Sequence, residues 1–398
     1  MINRRSLASL ALVVLPLIAP AQEVWITKNT AAKTSVDLTG LRATSGGGAL
    51  FVQTVQNDLL RSGWFNIATP ATFSVRGTAT VGADLSAACE LLDNSRNRAL
   101  LNKTYADTAA GTRHQAHHAA DDIIFAATGK KGMNGARLLL TGRRSSEGKE
   151  IFLCDTDGAN LRQLTHDNSI SLAPQWAPNG ETFVYTSYRR NNFQEANLVD
   201  LRTNQRSVIA AYSGIDMCGG IAPDGGSMLL VLSKDGNPDI YIQGLNGGTP
   251  IRLTKSAHAG QASPCWSPDG NAIAYVSDRA GSPQLYVMSR SGGGGRLLTS
   301  RGSQNVAPDW GNEGIAYCSR RGGRYVICVI NPATREDRQI SPSDCDYEDP
   351  SWAPDGRHIF STRTTGYRSS ICMLDTMGDA PLSLSLGSGD WTSPACTR

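Results

Sequence analysis

The side chains in this chain that could do chemistry form several clusters, and each lacks a part its chemistry needs. His114, His117 and His118 are the nearest to a metal-ligand group. On a helix, positions 114 and 118 share a face while 117 points to one side, and no Glu base accompanies them, so a metal is not expected. Asp155-Thr156-Asp157-Gly158 opens like a calcium loop but lacks the downstream Glu. The pattern returns as Asp375-Thr376-Met377-Gly378, which reads as a hairpin turn. Gly129-Lys130-Lys131-Gly132 lacks phosphate-loop spacing, and Gly292 to Gly295 precedes no helix. No Gly-x-Ser-x-Gly nucleophile elbow occurs. Asp216, Asp309 and Asp349 would serve a glycoside hydrolase only at a defined separation, which sequence does not give. The 9 cysteines contain no C-x-x-C pair, and their odd number leaves at least one unpaired within the chain. The chain reads as a protein without catalysis, metal or cofactor.

What positions these residues is a repeat. Pro174-Gln175-Trp176-Ala177-Pro178-Asn179-Gly180 returns as Pro264-Cys265-Trp266-Ser267-Pro268-Asp269-Gly270 and as Pro350-Ser351-Trp352-Ala353-Pro354-Asp355-Gly356. Weaker copies begin at Gly219, Pro308 and Pro394, giving intervals of 45, 45, 44, 42 and 44 residues. A period in the low forties is the length of a four-stranded propeller blade. Each phrase is followed by three apolar runs separated by Gly, Asn and Asp, the pattern of antiparallel strands. Six such groups begin near Arg137, Thr182, Ser227, Ala272, Gly314 and Arg357. The first has no leading strand, and the last phrase, Thr392-Ser393-Pro394-Ala395-Cys396, has no followers. The C-terminal strand is therefore expected to complete the first blade and close the ring, removing exposed sheet edges. Trp176, Trp266, Trp310 and Trp352 recur at one position and should pack between blades.

The fold expected is mainly β: a six-bladed β-propeller over residues 134–398, preceded by a small α/β (α+β) domain over 22–133. In that domain Glu23 to Thr27, Thr72 to Val81 and Ala87 to Leu92 read as strands. Leu50 to Leu60 and Thr112 to Ala127 read as helices ended by glycines. Residues 1–21 read as a signal peptide: Arg4 and Arg5, an apolar run from Leu7 to Ile18, and Ala19-Pro20-Ala21 as the cleavage site. Export to the periplasm with cleavage after Ala21 leaves 36 Lys+Arg against 35 Asp+Glu, a net charge of +1. That balance gives no electrostatic basis for binding nucleic acid.

These features together resemble the TolB family of the Tol-Pal cell-envelope system. The resemblance is sharpened by Leu59-Leu60-Arg61-Ser62-Gly63-Trp64-Phe65-Asn66, and by His117, Asp121, Phe125 and Thr128-Gly129-Lys130-Lys131-Gly132. The mature start Glu23-Val24-Trp25-Ile26 is similar to the family's first strand. Membership implies a non-enzymatic adaptor that binds the peptidoglycan-associated lipoprotein Pal through its propeller. It also implies an N-terminal segment, here Gln22, Glu23, Val24, Trp25 and Ile26, able to bind the inner-membrane protein TolA. The system maintains the outer membrane and its constriction during division. Family interaction positions carry over to Ile215, Cys218 and Ala262; the family commonly has histidine where this chain has Ile215.

The propeller geometry points to the same place. Turns that enter the innermost strands converge on one end of the channel, held rigid by the ring beneath. They supply Ser171, Leu172, Ile215, Asp216, Cys218, Gln261, Ala262, Asn305, Val306, Glu348 and Asp349 as partner-binding candidates on a protein expected to be a monomer. The alternative is a secreted propeller that binds a small ligand or glycan in its channel.

Overall fold

The computed structural model describes residues 33–144, 148–190 and 193–398. The leader, the strand expected at Glu23 to Thr27 and the segment Gln22 to Ile26 lie outside these residues.

The first domain is a five-stranded sheet carrying two helices, α1 (Gly46–Arg61) and α2 (Thr112–Thr128). Strand order is Phe65–Ile67, Thr34–Ala43, Phe73–Val81, Asp84–Asp93 and Arg98–Thr108, with the first two pairings parallel and the others antiparallel. Phe51, Val55 and Leu59 recur at helical spacing along α1 and share one core with Ala116, Ala120, Ile123 and Ile124 of α2. The first helix starts four residues before the expected Leu50. Ser45 caps it by accepting from the Gly48 N–H at 3.1 Å. A Cβ on Gly48 would stand 2.1 Å from the Ala79 carbonyl oxygen, so only glycine lets this helix begin against the sheet. Gly129, at φ 69°, ends α2. The strands at Thr34–Ala43 and Arg98–Thr108 had no clear sequence signature; the second, RALLNKTYADT, is an edge strand exposing most of its residues.

The rest of the chain is a ring of six four-stranded sheets. Blade 1 joins the two ends of the propeller: Asp390–Cys396 pairs antiparallel with Arg137–Arg143, which continues through Glu150–Asp155 to Arg162–Gln163. Blades 2 to 6 follow in chain order, with innermost strands Ser171–Trp176, Asp216–Ile221, Gln261–Trp266, Asn305–Gly311 and Asp346–Trp352. The recurrent tryptophans do sit between blades. Trp176 donates its indole N–H to the Ala395 carbonyl and Trp266 donates to that of Gly220, each at 3.0 Å and each in the preceding blade. Trp352 packs over Gly311, where a Cβ would meet its ring at 2.8 Å.

A second lock repeats at the outer strands. Hydroxyls of Thr165, Thr254, Thr299 and Ser341 accept from the backbone N–H groups of Ile151, Ile240, Leu285 and Ile327. Thr254 and Thr299 also donate to Asp239 and Gln284, at 2.6 and 2.7 Å. A Thr or Ser two residues past the fourth strand thus latches that strand to the third in four of the blades. All 9 cysteines are free thiols, and only Cys265 is not fully buried. Burial pushes most of them, such as Cys89 to about 12, far above the range where a thiolate forms.

Candidate partner-docking face

Every innermost strand starts at one end of the channel, here the inlet face, and ends at the Pro-Asp-Gly-type turns of the opposite outlet face. The two faces differ in what covers them.

The first domain occupies the outlet face. Its helices meet the hairpin Asp155 to Gly158 of blade 1, and Trp64 and Lys33 meet the equivalent hairpin region of blade 6. His117 lies between domains, with Nδ1 2.6 Å from Asp58 Oδ2 and Nε2 3.6 Å from Asp155 Oδ2. Burial alone would lower its pKa; hydrogen bonds with Asp155 and Asp58 and nearby negative charge raise it to about 9, so it is cationic at neutral pH. Arg113 pairs with Asp157, and Arg61 donates to the Thr156 carbonyl at 2.8 Å. His117, Asp155 and Asp157 are close enough to hold an ion. The Arg113 guanidinium and the His117 imidazolium already supply the positive charge there, which makes this an ion network. On blade 6, buried Arg357 pairs with Asp375 at 2.6 Å and stacks over Trp64, 4.5 Å from the ring centroid. Asp375 is held at about 2: burial opposes ionisation, but His358 and Arg357 outweigh it. The two Asp-x-x-Gly turns of the sequence are thus one structural position used twice to seat the other domain. Asp121 completes the joint by accepting from the Asn134 and Gly135 N–H groups.

The inlet face lies on the far side of the ring from this domain. Ser171, Asp216, Gln261 and Asn305 hold equivalent positions at the start of their strands and are at most 2% exposed. Their polar groups work inward: Ser171 Oγ donates to Asp167 at 3.0 Å, and Asn305 Nδ2 donates to Gln284 at 2.6 Å. The Asp216 backbone N–H donates to Gln194, and burial raises its carboxyl pKa to about 6. Cys218 is buried too. These five residues pin the inlet turns from beneath and offer no side-chain surface to a docked molecule.

The remaining candidates are accessible. Ile215 is 37% exposed, Ala262 is exposed, and Leu172, Val306, Glu348 and Asp349 are half-buried around the channel mouth. Asp349 accepts from Ser393 at 3.0 Å, and burial raises its pKa; Glu348 is raised by burial and by the charges of Asp349 and Asp346. Asp309 is committed elsewhere, accepting from the Trp352 N–H at 2.7 Å and pairing with Arg398. The three carboxylates that might have served a hydrolase each hold a local structural contact.

Sequence reasoning missed two neighbours of Ile215. Ile170 and Phe193 are 42% and 60% exposed. The Ile170 carbonyl accepts from the Tyr188 N–H at 2.9 Å, the Tyr188 hydroxyl bonds to Gln194, and Gln194 accepts from the Asp216 N–H. These contacts tie together the inlet turns of blades 2 and 3 that carry Ile170, Phe193 and Ile215. The signal was a large apolar residue at or beside an inlet turn, visible only once the turns are aligned. The innermost strands also share a kink: Ala173, Ser263, Ala307, Asp349 and Ser393 each precede the repeat's proline with φ between 45° and 51°. Left-handed backbone at non-glycine residues costs about 1–3 kcal/mol each and persists only where the surroundings enforce it. The kinked residues line a cavity of about 180 Å³ at mid-channel, and a second of about 370 Å³ lies at the outlet.

The described residues form two domains, one a closed six-bladed ring with one face carrying the other domain and the opposite face exposing Ile170, Phe193 and Ile215. The chain belongs to the TolB β-propeller family, whose model, described as the TolB beta propeller domain, matches residues 126–398. It is 31% identical over 80% of its length to the Tol-Pal system protein TolB of Gluconobacter oxydans, covering 73% of that protein. A 33% identical segment of the Tol-Pal system protein TolB of Desulfosudis oleivorans covers 47% of this chain and 42% of that one. The crystal structure of TolB from Acinetobacter baumannii superposes with a TM-score of 0.83 at 26% identity, covering 93% of this chain and 98% of that one. The protein is therefore a propeller protein of the Tol-Pal system. Among the described residues, no helix is long and apolar enough to cross a membrane.

Proposed function

We propose that the protein is a periplasmic, non-enzymatic adaptor that docks a Pal-like peptidoglycan-associated lipoprotein over its inlet face. The observation that carries this reading is the exposure of Ile170, Phe193 and Ile215, three large apolar residues on the face the first domain leaves open. Leu172, Ala262, Val306, Glu348 and Asp349 form the rest of the contact, around the channel mouth. The buried Ser171, Asp216, Cys218, Gln261 and Asn305 act indirectly, by fixing the turns. The segment Gln22 to Ile26 is the element offered to a TolA-like inner-membrane protein, freed by cleavage after Ala21. Joining the two partners in this way supports outer-membrane integrity and constriction during division.

Titration calorimetry of the mature chain against the soluble domain of a Pal-like lipoprotein tests the docking, and Ile215→Asp should weaken it. Binding that survives Ile215→Asp and Phe193→Asp unchanged would move the interface off this face. The channel cavities support a second reading, a small ligand or glycan held in the channel. It becomes the better one if no Pal-like domain binds. Mass spectrometry of exported protein checks the processing: the expected first residue is Gln22, and an intact Met1 would contradict export with cleavage.

A further inference from the structure

The three histidines of α2 divide between two tasks. His117 turns into the domain junction, while His114 and His118 stay exposed, one helical turn apart. Their Nε2 atoms stand 3.1 Å from each other, with ring centroids 4.4 Å apart and planes at 84°. This separation is what two imidazole nitrogens adopt in adjacent coordination positions of one ion, at metal–nitrogen distances of about 2.0–2.1 Å. We propose that His114 and His118 form a chelating site for a divalent transition cation of the imidazole-preferring class, Cu(II) first and Zn(II) more weakly.

Three observations carry this. The residues sit at i and i+4 over the first two turns of a helix fixed by the core of the first domain, so the pair is preorganised. Neither ring's Nδ1 is engaged by another described residue, so each can keep its proton on Nδ1 and turn a lone pair on Nε2 toward the ion. The nearest carboxylate on the adjoining segment, Asp107, accepts from the Thr108 N–H at 2.7 Å and from Gln115 at 3.1 Å. It is occupied, so the remaining coordination positions belong to water or an external ligand. Without the ion, the same geometry is an N–H···N hydrogen bond, and the two uses are mutually exclusive because the bond needs a proton on one Nε2. The site is open, and Cu(II) outranks Zn(II) there by the general order of affinities for nitrogen ligands.

The test is calorimetric titration of the mature full chain with Cu(II) and, separately, Zn(II), with electron paramagnetic resonance of the Cu(II) form. The expected result is one Cu(II) per chain with hyperfine coupling from two imidazole nitrogens, and weaker Zn(II) binding. His114→Ala and His118→Ala should each weaken Cu(II) at least tenfold. His166→Ala and His258→Ala, at exposed histidines elsewhere, should not. Because binding only the folded state raises the melting temperature, wild type should melt higher with Cu(II) than with chelator, and neither helix variant should. Melts in chelator establish that the variants are folded; should either unfold, His114→Gln and His118→Gln replace them. No binding by wild type, equal affinity in the helix variants, or a spectrum with one nitrogen would overturn the site.

Discussion

On the outlet face, charged pairs are buried at the seam between two domains; on the inlet face, large apolar residues stand in solvent. His117, Asp58, Arg357 and Asp375 are all at most 7% exposed, and each has an opposite charge within 3 Å. Ile170, Phe193 and Ile215 are each more than a third exposed, and the hydrogen bonds around them come from Tyr188 and Gln194 beneath. The difference teaches how one ring can hold a permanent neighbour and meet a transient one. A buried ion network is intolerant of losing a partner, because the remaining charge has no water to turn to. Exposed apolar residues cost the fold little and gain only when something covers them.

The largest effect should come from breaking what both faces depend on. Deleting Asp390 to Arg398 removes the strand that pairs with Arg137–Arg143, and with it Trp391, packed edge-on against Phe152 at 5.0 Å. Insoluble protein or a large drop in melting temperature is expected; a truncated chain that melts like the full one would contradict ring closure. Next comes the outlet face. Arg357→Ala leaves Asp375 buried beside one fewer cation and strips the stacking from Trp64. A loss of about 3–5 kcal/mol in denaturant unfolding is expected, with affinity for an inlet-face partner unchanged. Equal losses of stability and affinity would mean that the two faces are not independent.

The inlet face should give the inverse pattern. Ile215→Asp is expected to cost roughly 2 kcal/mol in partner binding, about thirtyfold, with little change in melting temperature. Arg202→Asp, an exposed turn remote from this face, should leave both within about 0.5 kcal/mol.

The most gradual effect is a pH dependence that originates on the outlet face. His117 has a folded pKa of about 9 against 6.5 for the free side chain. Its contribution is complete below pH 6.5 and is lost as pH rises through 9, of order 3 kcal/mol in all. Buried His358, also raised by Asp355 despite desolvation, acts in the same direction. Stability should therefore fall between pH 6.5 and 9, and His117→Gln should flatten that slope. An unchanged slope in His117→Gln would remove this residue from the junction's ion network.

Much of this was legible in the chain itself. The spacing of Pro-x-Trp phrases determined the number of blades, the place of each second strand and the identity of the strand left over at the end. Such periodicity is legible because every blade solves the same packing problem with the same residues. The helices were legible from their apolar spacing, although α1 begins at Gly46 because Gly48 meets a carbonyl of a strand thirty residues on. The Arg98–Thr108 edge strand was not legible, since a strand exposed along most of its length needs no alternation. Among the candidate residues, sequence located the turns but not the direction of each side chain. Ser171, Asp216, Gln261 and Asn305 look like polar turn residues and are buried pins; Ile170 and Phe193 look like core residues and are exposed. Direction is decided by the kink ahead of each repeat proline and by the twist of the blade, which combine residues far apart in the chain. The same holds for Asp155 and His117. Each is unremarkable in its own segment, and only the seating of one domain on the other brings buried His117 to 3.6 Å from half-buried Asp155.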